Sequence, residues 1–124
     1  MIALDSSALI AFLAGDEGPV ADAAGTALAQ QHACLPPVAL AELLSDPVLR
    51  APVAELFKAL PRLEILDGYW ERAGALRSRV LKRSRRARLA DTLIAQSCID
   101  HRVPLITSDR DFRHFVKDGL FLLS

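Results

Sequence analysis

The stretch "MIALDSSALIAFLAGD", residues 1–16, decides how the rest of the chain is read. A short apolar run, Met1 to Leu4, stops at an acid, Asp5. A run this short and this apolar suits a strand buried on both faces. The text then changes period at once. Ser6 or Ser7 offers an N-cap, Leu9, Ile10 and Leu13 supply an apolar stripe, and Gly15 a stop, so a helix follows. A buried strand leading straight into a helix is the opening of a parallel α/β unit, with an acid at the join.

The same alternation continues. "GPVADAAGTALAQQ" reads as a second helix with Pro19 in its first turn, although Gly25 inside it costs about 1 kcal/mol relative to Ala. "ACLP" is a short strand, and "PVALAELLSD" and "PVAELFKALP" are helices bounded by prolines. In the first of these, Val38, Leu40, Leu43 and Leu44 form the apolar side. "LEIL" reads as a strand before the turn Asp67-Gly68. "YWERAGALRSRVLKR" is a longer helix with apolar positions at Trp70, Ala73, Leu76 and Val80 or Leu81. "RLADTLIAQSCIDHR" follows, with Leu89, Leu93 and Cys98 on one side. "PLITS" is a strand, "RDFRHFVKDG" a short helical turn anchored by Phe112 and Phe115, and "LFLL" a closing strand. Strands alternating with helices predict a mostly parallel sheet with helices on both faces, a three-layer α/β/α architecture. No repeat or linker divides the chain, so residues 1–124 are expected to form one domain.

Composition excludes several classes. Hydrophobic residues make up 52% and charged residues 24%, which is not the balance of a disordered chain. Formal net charge is zero, so nucleic-acid binding would need a local patch. Cys34 and Cys98 have no CxxC spacing and read as small buried hydrophobes. No apolar run has the length of a membrane span, and the N-terminus has no basic leader pattern, so a cytoplasmic location is expected. His32, His101 and His114 are scattered and read as surface or packing residues.

Ligands of an open parallel sheet bind beyond the carboxyl ends of its strands. Asp5 follows the first strand, Asp109 follows "PLITS", and Glu42 lies in the first two turns of the helix after "CLP". Asp91 opens a helix of its own, where a plain capping role is the alternative. Glu42 sits within "ALAELL" and Asp5 between "IAL" and "SSALIA", places where an unpaired acid would be costly. Four carboxylates at one edge favour a hard divalent cation, Mg2+ or Mn2+. Such an ion activates water and offsets charge on a phosphodiester. Ser7 and Thr107 place hydroxyls beside Asp5 and Asp109.

The segments "IALDSSALIAFL", "PPVALAELL", "RLADTLIAQSCI" and "PLITSDRDF" together resemble a PIN-domain nuclease, most of all the VapC-like ribonuclease toxins of bacterial toxin–antitoxin pairs. The likeness covers nearly the whole chain and rests on four motifs in order. It implies a five-stranded parallel sheet and a metal-dependent endoribonuclease. It matches Asp5, Glu42, Asp91 and Asp109 to the family's four acids and Ser7 to its small polar residue. Asp5, Asp91 and Asp109 would then hold the metal, with Glu42 a ligand or a base. The partners it implies are an RNA substrate, a cognate antitoxin and a second copy of the toxin, with no membrane. Asp111 competes with Asp109 for the fourth role, though the "TSD" position fits the family better. The segment before the third acid, often short and Gly-containing in relatives, is "LKRSRRAR" here.

That segment belongs to a basic run of Arg79, Lys82, Arg83, Arg85, Arg86 and Arg88. Read functionally, Lys82, Arg83, Arg85, Arg86 and Arg88 form a phosphate-binding lip for RNA. The alternatives are a solvated helix end or a surface for an acidic stretch of an antitoxin. Two other readings compete with a nuclease. A catalytically inactive module that only binds RNA or protein would not need all four acids. An aspartyl phosphotransferase of the haloacid-dehalogenase type wants a second Asp two residues after the first, where Ser7 stands.

Overall fold

The computed structural model describes residues 1–123. The chain runs β1 (Ile2–Leu4), α1 (Ser6–Leu13), α2 (Pro19–Ala29), β2 (Ala33–Cys34), α3 (Pro37–Leu44), α4 (Ala51–Ala59), α5 (Tyr69–Lys82), α6 (Leu89–His101), β3 (Leu105–Ile106) and a 3-10 helix, Arg110–Asp118. The three strands are parallel, in the order β2-β1-β3. Strand β1 is therefore central, with Ala3 opposite Cys34 on one side and Leu105 on the other. Residues Ala3, Leu4, Leu105 and Ile106 have no accessible surface, as the uninterrupted apolar run of a doubly covered strand requires.

The expected five-stranded sheet is corrected to three strands among the described residues. The other two segments each touch the sheet through a single parallel bridge, Leu35 with Arg62 and Leu105 with Leu122. Both lie at outer edges, where only one flank can pair. In "LEIL" only Leu63 is buried, while Ile65 and Leu66 are exposed, so one inward side chain holds the segment and the Asp67-Gly68 turn ends it. In "LFLL", Leu120 is buried and Phe121 exposed. The alternation is that of a strand, but with so few inward residues the ladder stops after one bridge.

Helices α1 and α2 pack on each other, and α2 on β2 and β3. Helices α5, α6 and the 3-10 helix form a second group. Right-handed crossovers place these two groups on opposite faces of a parallel sheet. Gly25 of α2 faces the Phe12 ring, which lies 2.8 Å from where a Cβ would stand. Its helix cost therefore secures a close helix contact.

Several apolar stripes shift from their expected positions. In α5 the buried residues are Tyr69, Ala73, Leu76 and Val80, while Trp70 is 61% exposed and Leu81 faces out. The spacing is helical either way, and Tyr69 wins because its hydroxyl donates to the Leu93 carbonyl at 2.6 Å. Leu9 of α1 is buried, but Ile10 and Leu13 are exposed, as is Leu89 at the start of α6. The cysteines are free and buried, and Phe112 and Phe115 are both fully buried. No helix among the described residues is long and apolar enough to cross a membrane.

Candidate metal and phosphodiester site

The connection β1 to β2 runs one way and β3 lies on the other side of β1, so the sheet reverses its winding between β1 and β3. Crevices beyond the carboxyl ends of strands at such a reversal are the usual ligand positions of open α/β sheets. Asp5 leaves β1 at this point, and Thr107, Ser108 and Asp109 leave β3 beside it.

Asp5 is 4% exposed and takes three hydrogen bonds. Its Oδ1 accepts from the Ser7 hydroxyl at 2.7 Å and from the Ala8 amide at 3.0 Å. Its Oδ2 accepts from the Thr107 hydroxyl at 2.6 Å. Asp5, not Ser6 or Ser7, is thus the N-cap of α1. The carboxylate reaches an amide at the start of the helix, and the serines are left inside its first turn. Burial pushes the Asp5 carboxyl above its ordinary value, the three hydrogen bonds pull it down, and Asp109 raises it further.

Ser7 and Thr107 tie the two strand ends together. Their hydroxyls lie 3.3 Å apart. Ser7 Oγ accepts from the Ser108 amide at 2.9 Å, and Thr107 Oγ1 from the Asp109 amide at 3.0 Å. Asp109 then caps the 3-10 helix, its Oδ1 accepting from the Asp111 amide at 2.9 Å. Asp111 instead turns toward Arg86, at 3.6 Å.

Asp91 is the third residue of α6, so it does not cap that helix. Arg88 stands at the cap and makes no capping bond with its side chain. The Asp91 carboxyl, partly buried, is pushed up to about 6. Desolvation is the main cause, followed by repulsion from Asp109 and Glu42; Arg88 opposes this and Asp5 adds to it. Asp91 on α6 therefore feels Asp109 after β3, Glu42 on α3 and Asp5 after β1.

Glu42 is exposed, not half-buried as its apolar neighbours suggested. It is on the outer side of α3, whose buried residues are Ala39, Leu40 and Leu43. Its carboxyl is still partly desolvated and pushed up, with a long bond from Ser6 Oγ at 3.4 Å lowering it and Asp5 raising it. Ser6 is a site neighbour that the sequence did not single out.

Among the described residues no three His, Cys, Asp or Glu side chains stand close enough to cage an ion by themselves. Mg2+ is commonly held by one or two carboxylates together with waters and substrate phosphates, so its binding needs no such cage. The donor chemistry fits a hard divalent cation: all four groups are carboxylates, and the repulsion that Asp91 feels from Asp109, Glu42 and Asp5 is what a cation would relieve.

The basic run does not act as one surface. Arg79 and Arg83 bind Asp118, at 3.1 and 2.7 Å. Arg86 pairs with Asp111. Lys82 faces a separate groove beside Leu81 and Leu89, and Arg88 lies near Asp91. The run divides because α5 ends within it and Ser84 takes a left-handed turn, φ 58°. Arg85 instead lines a cleft with Arg113 and Lys117, two residues of the 3-10 helix outside the run. The spacing of Arg110, Arg113 and Lys117 along "RDFRHFVK" was the available signal for them. His101 and His114 contact the carbonyls of Glu64 and Arg86, as packing residues do.

A family model described as PIN domain matches residues 2–118. No curated protein matches the chain.

Proposed function

This chain belongs to the PIN-domain family, a nuclease-type family, and from that premise we propose that it is a metal-dependent endoribonuclease toxin restrained by a cognate antitoxin. The whole of residues 1–124 would act as one nuclease domain in the cytoplasm. The observation that carries the reading is the position of the acids. Asp5 and Asp109 leave adjacent parallel strands at the reversal of the sheet, and Asp91 and Glu42 are close enough to be coupled to them.

In this reading Asp5, Asp91 and Asp109 hold Mg2+ or Mn2+, which when bound supplies a water of lowered pKa and positive charge beside the phosphate. Thr107 and Ser7 fix the orientation of the Asp5 carboxylate through the bonds at 2.6 and 2.7 Å. Thr107 also fixes the start of the Asp109 turn. Glu42 is exposed and only loosely held by Ser6. Its raised carboxyl suits it to accept the proton of the attacking water as it adds to phosphorus opposite the leaving oxygen.

Support for a protein partner comes from the apolar groove of about 310 Å³ between α1, α3 and α4, lined by Ile10, Leu13, Leu43, Val53 and Phe57. Glu42 stands on its rim. An antitoxin segment seated there would cover Glu42, and the exposed apolar residues also suit a homodimer.

The test is cleavage of RNA by purified protein. Activity should require Mg2+ or Mn2+, stop with chelator, and fall by ~10²-fold or more in Asp5→Asn. Undiminished cleavage by a folded Asp5→Asn protein would overturn the reading.

A further inference from the structure

Beyond the acids, a strongly charged feature is the cleft of about 540 Å³ between the end of α5 and the 3-10 helix. It is lined by Arg83, Arg85, Arg113, His114 and Lys117, with no acid and no apolar residue among them. Its two walls are fastened together. Arg83 donates to the Asp118 carboxylate at 2.7 Å and to the His114 carbonyl at 3.1 Å. His114 Nδ1 lies 3.0 Å from the Arg86 carbonyl. The left-handed Ser84 turns the chain so that Arg85 is presented outside this clasp.

Arg85, Arg113 and Lys117 are exposed, and their side chains make no hydrogen bond or ion pair among the described residues. Three uncompensated cations around one cleft repel one another, a cost that a polyanion removes. The cleft shares Arg113 with a neighbouring one that reaches the Asp109 turn. This second cleft, of about 670 Å³, has a wall that includes Thr107, Ser108, Asp109 and Arg110. A chain of cations therefore leads from the Asp109 turn, through Arg110 and Arg113, to Lys117 and Arg85.

We propose that this clasped cleft binds backbone phosphates of the RNA strand to one side of the scissile bond. The proposal rests on the ribonuclease reading and extends it to the substrate path. An acidic protein segment fits less well, because protein interfaces have an apolar centre and this cleft has none. No Phe, Tyr or Trp lines it, and the His114 ring is engaged by the Arg86 carbonyl, so it would hold backbone rather than select bases. Its work would be to increase affinity for longer RNA, leaving the choice of cleavage site to other contacts.

The experiment measures binding separately from cleavage. A labelled, non-cleavable 2′-O-methyl RNA of about a dozen nucleotides is titrated in chelator over a range of salt. The triple variant Arg85→Ala, Arg113→Ala, Lys117→Ala is compared with the wild type and with Arg85→Lys, Arg113→Lys. Each phosphate contact contributes about 0.7 to the salt slope for a single strand, so the triple variant should lose about 2 in slope and ~10-fold or more in affinity at low salt. The lysine variant should keep the slope. Unchanged affinity and slope in the triple variant would overturn the proposal. So would a cleft-dependent preference for oligoglutamate over RNA, which would point to an acidic protein. Wild-type cleavage of RNA alongside an unaffected triple variant would remove the cleft and leave the nuclease standing. Cleft-dependent binding with no cleavage of any RNA would do the reverse.

Discussion

Replacing Asp91 by Asn should make the metal-free protein more stable at neutral pH while removing its response to metal. The native carboxyl has a pKa of about 6, against an ordinary aspartate value of 3.8. A folded state that holds its proton more tightly than the unfolded chain is favoured at low pH. Its advantage is complete below the unfolded value and is lost as pH rises through the native one. Once both states are ionised, the difference corresponds to about 3 kcal/mol at 1.36 kcal/mol per pH unit. Asp91 is only partly buried, so solvent screening reduces this to ~1–2 kcal/mol. An acid in the first turn of α6 also gains a few tenths to ~1 kcal/mol from the helix dipole, which acts in the opposite sense. The net gain for Asp91→Asn is ~1 kcal/mol at pH 7, or roughly 3–6 °C in melting temperature. It should shrink toward zero as pH falls from 7 to 4. Thermal and urea unfolding in chelator would measure it. Mn2+ added at a hundredfold excess over its Kd should then stabilise the wild type by about 2.7 kcal/mol and the variant far less. An Asp91→Asn protein less stable than wild type at pH 7, or equally stabilised by Mn2+, would refute the reasoning.

Thr107→Val removes the hydroxyl that bonds both Asp5 Oδ2 and the Asp109 amide. It should cost ~1–3 kcal/mol in urea unfolding and about 10–100-fold in metal affinity by calorimetry, with Thr107→Ser retaining most of both. Asp118→Asn should weaken the clasp of Arg79 and Arg83. Arg83 is the main influence holding the Asp118 carboxyl below its usual range, helped by Arg79 and opposed by burial. A depressed carboxyl stabilises the fold above its unfolded pKa and stops doing so as pH falls through the native value. The variant should therefore lose ~1–2 kcal/mol at pH 7, with the difference closing below about pH 4, as followed by denaturant unfolding at several pH values.

The sequence by itself determined the parallel α/β class, the order of its helices and the residues at its strand ends. Those features are local. "MIAL" and "PLI" are too uniformly apolar to be anything but covered strands, and Asp5 and Asp109 must follow wherever such strands end. Asp5 stood out for the same reason, since a carboxylate interrupting an apolar run demands a partner or an ion, whereas the same argument failed for Glu42, which lies on the exposed side of α3. Tertiary structure alone decided what depends on distant neighbours. The outer strands shrank to single bridges because an edge segment has only one flank to pair with and few side chains to bury. Tyr69 displaced Trp70 from the core because the Leu93 carbonyl was in reach of its hydroxyl. The basic run, continuous in sequence, divided because Asp118, on a different element, claimed two of its arginines. Arg85 was thereby grouped with Arg113 and Lys117, nearly thirty or more positions away in the chain, by the close packing of α5 against the 3-10 helix.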